Sequence, residues 1–416
     1  MSRVRRSRLA LTVLLAVAFG SCMPPEEPVF APEPLRKGPD VRIGLILDAA
    51  TASIGGGGAL RVVDPDEGLI AELPRAEVGE LVRRGEGVVF RGSLFREMTR
   101  RRLVIEPAEG ETTVRLGGRD YRGVLEIDEG ATGIRVINRV DLEQYLIGVV
   151  GAEMGSRAAE DVEALKAQAV ASRTYAIRHQ GGSTSRGYDM VADENNQVYA
   201  GLALEQPLAA QAVEATRGEI LTWEGAPIDA FFSSTCGGET EDGPAAFNGA
   251  VRPYLGRVSD LDPNGVAWCA ISPRYRWVET WSGAELSAVL RRTLASNGLP
   301  PARAGDLTDL RVLDRTGTGR IATLELAGRR GRTAVSGQAI RRVLAPVAGG
   351  ILRSTDFAVR LDRRGGRIER VTVEGRGNGH AVGMCQYGAI GRARAGQDYL
   401  TILGSYFPGT TLAKRY

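Results

Sequence analysis

GVVGAEMG, Gly148 to Gly155, is the stretch on which the reading of this chain turns: an apolar pair, Val149-Val150, runs into a single carboxylate, Glu153, set between glycines. The sequence that follows, SRAAEDVEALKAQAVASRTYAIRHQGG, puts Val162, Leu165, Ala169, Ser172 and Ala176 at three- and four-residue steps. That spacing predicts a helix with a stripe of mostly small residues, suited to close backbone packing and ended by Gly181-Gly182. On this reading Glu153 stands just ahead of the helix, where the dipole favours a charged carboxylate by about 0.3–1 kcal/mol. Lys166 and Arg173, two turns apart on one face and off the apolar stripe, read by themselves as solvated surface.

Upstream, short β-type runs bounded by turn residues (VRIGLIL, GVVF, RLVIEP, TTVRL, GVLEI, GIRVIN) predict a strand-rich region over roughly 41–140. Downstream, GEILTWEGAPIDAFFSSTCGGETED reads as a hairpin leading to a Gly-Gly turn. From Trp277 to about Val373 helix-like pieces (GAELSAVLRRTL, GQAIRRVL) alternate with strand-like ones, and the last segment opens Gly-rich and turns amphipathic. The expected class is α+β: a strand-rich N-terminal region, then a mixed α+β region with a central helix after Glu153.

With 416 residues the chain has room for two or three domains and a sizeable core. Its formal charge of +3 gives no field that would draw it to nucleic acid, and no nucleic-acid partner is expected. Arg3, Arg5, Arg6 and Arg8 precede the apolar run LALTVLLAVAF and then FGSC, the pattern of a signal peptide whose apolar core is short for a transmembrane helix. FGSC also resembles a bacterial lipobox, which makes Cys22 the candidate for lipidation; the alternative is a secreted protein with Cys22 in the discarded peptide. On either reading the mature chain is expected outside the cytoplasm, with the cell envelope the expected site. Residues 23–40, rich in Pro and Glu, read as an extended tether. The remaining cysteines are Cys236, Cys269 and Cys385. In an oxidising compartment Cys236 and Cys269 are candidates for a disulfide, with Cys385 left as a free thiol. No C-x-x-C pair exists and the histidines are His179 and His380, so a zinc cage has few candidate ligands and no metal or cofactor is expected.

Nucleotide readings fail on inspection. IGGGGALR lacks the Gly-Lys-Ser/Thr of a phosphate loop, and GRGNGHAVG is out of register with G-x-G-x-x-G. There is no G-x-S-x-G, which removes the commonest serine hydrolase signature. Carboxylate chemistry is left. A hydrolytic glycosidase needs two carboxylates. A lytic transglycosylase works with one, because the sugar's own hydroxyl attacks and a single residue gives a proton to the leaving oxygen and takes one back.

Taken in order, NRVDLEQYLIGVVGAEM, EALKAQAVASRTYA, NNQVYAG, FFSSTCGGETED, PYL, and GNGHAVGMCQYGA with SYFPGTTL resemble the stage II sporulation protein D (SpoIID/LytB) family from about Val41 to Tyr416. The resemblance implies a peptidoglycan-active protein, either a lytic transglycosylase on glycan strands stripped of stem peptides or an enhancer of a cell-wall amidase; the lipobox-like FGSC adds the expectation of a lipid anchor to a membrane. It implies that Glu153, in the family's V-x-x-E-M motif, is the catalytic acid/base, and that Lys166, Arg173, His380 and Tyr387 bind substrate. Composition and resemblance together divide the chain into a signal peptide (1–22), the tether (23–40), the strand-rich region (41–140), a catalytic core (141–270), an inserted α+β subdomain (271–373) and a C-terminal segment completing the core (374–416). Departures from the family are Gly155 where Pro is usual, Ser233 where His is frequent, Ala381 where Gly is usual and Cys385 where Ser is usual.

Overall fold

The strands of the N-terminal third alternate inward apolar and outward polar residues, and the computed structural model pairs them into two sheets. It describes residues 38–416 apart from 93–94, 111–112, 183–185, 195, 248, 250 and 301–306. Cys22, the signal segment and nearly all of the tether lie outside the described residues. One sheet has seven strands in the order Met190–Val191, Asp40–Ala49, Ile134–Asp141, Val124–Glu129, Leu103–Pro107, Leu60–Asp64 and Gly68–Leu73. The other has six, in the order Arg119–Tyr121, Val114–Leu116, Thr51–Gly56, Gly79–Arg83, Val88–Gly92 and Phe95–Arg100.

Ile43 faces Asn138 across the antiparallel pair, with Val41 opposite Val140. Asn138 is fully buried and satisfied: its amide donates to the carbonyls of Arg122 (2.9 Å) and Val124 (3.1 Å), and its oxygen accepts from the Tyr199 hydroxyl (3.1 Å). That bond fixes the extended segment around Tyr199 against the sheet.

Among the described residues eight α-helices follow in chain order: α1 (Leu142–Met154), α2 (Val162–His179), α3 (Pro207–Ala215), α4 (Gly243–Phe247), α5 (Gly283–Ser296), α6 (Ala339–Val343), α7 (Gln386–Arg394) and α8 (Tyr399–Tyr406). The fold is α+β. Asp141 starts α1, its carboxylate accepting from the backbone N–H of Glu143 (2.9 Å) and Gln144 (3.2 Å). The helix therefore begins earlier than the sequence pattern implied, and the V-x-x-E-M motif closes α1 rather than preceding α2. Glycines in α1 set its packing. A Cβ on Gly151 would stand 2.0 Å from the Leu204 carbonyl oxygen, and one on Gly148 2.9 Å from the Tyr199 ring. The backbone of 199–204 thus lies directly on α1.

α2 is the central helix, buried on nearly every side by α1, α3, α7 and α8, which is what its small residues allow. A first apolar core joins both sheets to α1, α2, α3, α7 and α8. A second, built from Trp277, Trp281, Leu286, Leu290, Leu324, Val371 and their neighbours, fills a lobe of two three-stranded sheets with α5 and α6. The chain leaves the first core at Tyr275 and comes back at Gly377, whose N–H donates to the Tyr275 carbonyl (2.9 Å). Met384–Cys385 then pairs in parallel with Phe232–Ser233 and leads into α7.

Candidate active site

Glu153 occupies the last turn of α1, at the helix end whose exposed carbonyls repel negative charge, the reverse of the dipole effect expected for a residue ahead of a helix. Oε1 accepts from the Val198 N–H (3.1 Å) and Oε2 from the Gln386 amide (3.1 Å). Gln386 is itself held from behind by Gln168 Oε1 (3.4 Å), whose amide donates to Ser172 Oγ (2.9 Å). Burial pushes the Glu153 carboxyl above its ordinary value, and the nearby Glu194 charge adds to this. The Val198 and Gln386 donors pull the other way without overcoming it. A carboxyl that keeps its proton is what a general acid requires.

Glu153 opens into a cleft of about 1040 Å³. Aromatic groups line it (Tyr175, Phe231, Phe232, Phe247, Tyr387), along with four arginines, Arg157, Arg274, Arg341 and Arg342. Flat rings offer stacking surfaces and arginines offer planar donors for anionic or carbonyl oxygens, a combination suited to a sugar polymer. Arg157 lies over the Tyr387 ring, 5.3 Å from its centroid, and its buried Nε has no hydrogen-bond partner among the described residues. Ser336–Ala339, Arg341, Arg342 and Ile351 come from the second lobe, so both cores build the cleft walls.

His380 and Tyr387 line this cleft with Glu153. The His380 ring packs against Phe247 and Phe231, with centroids at 5.1 and 6.2 Å, and its Nδ1 accepts from the Val382 N–H (3.0 Å). Burial, then the Arg341 charge, lowers its pKa to about 4, so the ring is neutral at pH 7. Its place is in the wall as a neutral contact group. Arg341, lowered to about 10 by burial, remains charged at neutral pH. The loop that carries His380 holds Ala381 at φ 65°, a left-handed conformation that explains why glycine is usual there, and its N–H donates to Ser233 Oγ (3.1 Å).

Lys166 and Arg173 do not reach the cleft, and the expectation that they bind substrate is corrected by what they touch. Lys166 pairs with Glu163 (2.7 Å) and lies over the Tyr399 ring at 5.7 Å. Arg173 is fully buried: Nε and Nη2 bind the two oxygens of Glu143 (2.8 and 2.7 Å), and its remaining donors go to the carbonyls of Val213 and Glu219 and the hydroxyl of Thr216. Helix periodicity places Arg173 off the apolar stripe, but α2 is covered on nearly every side, so the stripe does not identify the solvent side. The expected disulfide is also corrected. Cys236, Cys269 and Cys385 are buried free thiols, with the Cys236 and Cys269 sulfurs 3.7 Å apart, far beyond the roughly 2.05 Å of a bond. Sequence reasoning missed Val198 and Gln386, although NNQVYAG and MCQYGA had both been singled out, because a backbone donor and a neutral amide carry no chemical signature of their own. It also missed Arg341, Arg342 and Asp260.

A Stage II sporulation protein (SpoIID) family profile matches residues 130–223, the segment that holds α1, α2 and Glu153, and a domain of unknown function (DUF8618) matches residues 269–383, the second lobe and its return. An uncharacterised protein of Brachyspira hyodysenteriae is 30% identical over 74% of this chain and 76% of its own length. Stage II sporulation protein D of Bacillus amyloliquefaciens is 33% identical over 67% of this chain and 76% of its own. The amidase enhancer of Bacillus subtilis is 30% identical over 64% of this chain, which spans 40% of that longer protein. With relatives at this identity aligned along most of their length, the chain belongs to the stage II sporulation protein D (SpoIID) family.

Proposed function

We propose that the protein is a peptidoglycan lytic transglycosylase with Glu153 as its one general acid/base. The observation that carries this reading is the Glu153 carboxyl itself, raised above its ordinary pKa and held between the Val198 N–H and the Gln386 amide at the wall of an aromatic, arginine-lined cleft. Glu153 gives its proton to the glycosidic oxygen as the bond from the N-acetylmuramic acid C1 to that oxygen breaks. The C6 hydroxyl oxygen of the same sugar bonds to C1, and the Glu153 carboxylate takes the C6 hydroxyl proton, leaving a 1,6-anhydro end and restoring the acid. No water is consumed. Stripped glycan strands, probed as the stacked partner of Tyr387 and Phe247, are the proposed substrate.

Replacing Glu153 with Gln keeps size and removes the proton, so turnover falls roughly 10²–10⁴-fold. Mass spectrometry of peptide-free glycan strands incubated with either protein reads this directly: anhydro products from wild type alone support the mechanism, and equal rates end it. The similarity to a protein named amidase enhancer favours a second reading, in which the cleft grips glycan and the surface stimulates an N-acetylmuramoyl-L-alanine amidase. Retained glycan binding with no product from either protein, together with amidase stimulation that survives Glu153→Gln, decides for that reading. The N-terminal pattern supports a placement in the cell envelope, anchored by lipid on Cys22. Mass spectrometry of the mature N-terminus, acylated at Cys22 or cleaved elsewhere, tests it.

A further inference from the structure

Behind the cleft, one shell removed from Glu153, the side chains of Cys236, Asp260, Cys269 and Cys385 converge, with one ligand atom from each within 4.8 Å of every other. All four residues are buried. They come from four separate places in the chain: the turn after Phe232–Ser233, the loop ending at Asp260, the short turn Trp268–Ile271, and the residue that caps α7.

We propose that these four side chains form a closed, structural zinc site that fastens the cleft's supporting loops together. Geometry is the first argument. Four ligands around a zinc ion at about 2.3 Å for sulfur and about 2.0 Å for oxygen form a tetrahedron whose sulfur–sulfur edge is about 3.8 Å and whose sulfur–oxygen edge is about 3.5 Å. The Cys236 and Cys269 sulfurs are 3.7 Å apart, and Cys236 Sγ is 3.2 Å from Asp260 Oδ2.

The second argument is the accounting for Asp260. Its Oδ1 accepts from the Tyr406 hydroxyl (2.7 Å) and from Arg392 Nε (3.3 Å), which orient the carboxylate from behind as outer partners of a metal ligand do. Its Oδ2 points at the sulfurs, where its one hydrogen-bond partner among the described residues is the Cys236 thiol. A buried carboxylate oxygen with so weak a partner is costly, and a cation at the centre of the cluster removes that cost. Gly388 keeps the approach open, since a Cβ there would stand 2.3 Å from Asp260 Oδ2.

The third is the direction of the backbone donors. The Cys236 N–H points to Cys385 Sγ (3.1 Å), the Gly388 N–H to the same sulfur (3.3 Å), and the Gly238 N–H to Cys236 Sγ (3.4 Å). Such donors suit metal-bound thiolates. A Cys236–Cys269 disulfide would use two of the sulfurs, remove the Cys236 thiol that Oδ2 now faces and leave Cys385 without a partner role in the cluster. Zinc binding displaces one proton to solvent from each of the three thiols. The resulting set of three thiolates and one carboxylate around a divalent ion is partly balanced by Arg392.

The consequence for the site follows from chain order: Cys385 immediately precedes Gln386 and Tyr387, so the metal would fix the start of α7 that presents them to the cleft. The proposal stands apart from the choice between transglycosylase and amidase enhancer. To test it, the protein is purified without thiol reductant or chelator, its metals are measured by plasma mass spectrometry, and its cysteines are mapped by alkylation and peptide analysis. One zinc per chain is expected, with Cys236, Cys269 and Cys385 unlinked and alkylated only after chelation. Reduced, metal-free protein given cobalt is expected to show thiolate-to-cobalt charge-transfer absorption. Cys385→Ser keeps a capping oxygen for α7 and is expected to weaken zinc binding by more than the roughly 10–100-fold that outer partners are worth. A Cys236–Cys269 disulfide in metal-free protein overturns the proposal. So do three free thiols that take up neither zinc nor cobalt, a result read on wild type and independent of how the variant folds.

Discussion

At the scale of single residues, the proposed chemistry needs a raised pKa on Glu153, and the structure names the groups that set it. Burial raises the pKa while the Gln386 amide lowers it, so removing that amide raises it further. The proposed reaction starts from the protonated form, so activity is expected to be lost as pH rises through the Glu153 pKa. The alkaline limb of the rate profile should lie above the ordinary glutamate value of about 4.3 and move to higher pH in Gln386→Met. A limb that stays in place, measured as kcat/KM against pH on soluble glycan strands, would remove Gln386 from the role given to it. The candidate carboxylate was legible through the family resemblance, which sets Glu153 in V-x-x-E-M; by residue type alone it reads as a glutamate beside a helix end. The sign of its pKa shift was not legible, because it depends on which end of a helix Glu153 occupies and on where Lys166 and Arg173 point. Both cations turn out to be spent on Glu163 and Glu143.

At the scale of elements, α1 is both a packing unit and the carrier of Glu153. Gly151 lets the 199–204 backbone lie on the helix, and the same segment brings the Val198 N–H to Glu153. Gly151→Ala must push a backbone carbonyl aside, which should cost about 1–3 kcal/mol of stability and lower activity at the same time, since Val198 moves with it. Gly155 behaves differently. It ends α1 at φ 68° and ψ −169°, its N–H donating to the Gly151 carbonyl (2.9 Å), and a Cβ there would meet nothing within 4 Å. Gly155→Ala should thus cost only backbone strain of about 1–3 kcal/mol. Gly155→Pro, the residue usual in the family, can satisfy neither the positive φ nor the hydrogen bond and should displace the end of α1. Urea denaturation of the three variants, beside their activity, separates packing from strain. The strands and the long helices were legible through their periods, and their boundaries were not: α1 starts at an Asp141 cap whose significance appears only once the preceding strand is known to end there.

At the scale of the whole molecule, Arg173, expected to bind substrate, instead forms with Glu143 a buried pair that ties the two ends of the described chain together. Glu143 receives both nitrogens of the Arg173 fork, the Gly218 N–H (3.1 Å) and the Tyr416 hydroxyl, and the Tyr416 ring lies against Gly38. Burial alone would raise the Glu143 pKa, but the Arg173, Tyr416 and Gly218 bonds outweigh it and the carboxyl sits below its ordinary value. The folded state consequently binds this proton less tightly than the unfolded chain. Stability from Glu143 is complete above the unfolded value of about 4.3 and is lost as pH falls through the lower folded value. Arg173→Met should reverse that slope. The carboxylate is then buried without its cation, which costs about 3–5 kcal/mol at neutral pH. Its pKa rises above the unfolded value, and part of the loss returns as the pH is lowered from 7 towards 5 and the carboxyl takes up a proton. Denaturation midpoints of wild type and variant across pH 4–7 read both slopes. A residue that served substrate instead would leave the midpoints alone and raise KM, so parallel slopes with a changed KM would return Arg173 to the binding role that the family resemblance implied. Opposite slopes keep it as the clasp between the first strand, the central helices and the C-terminus, the frame on which α1 holds Glu153 at the cleft.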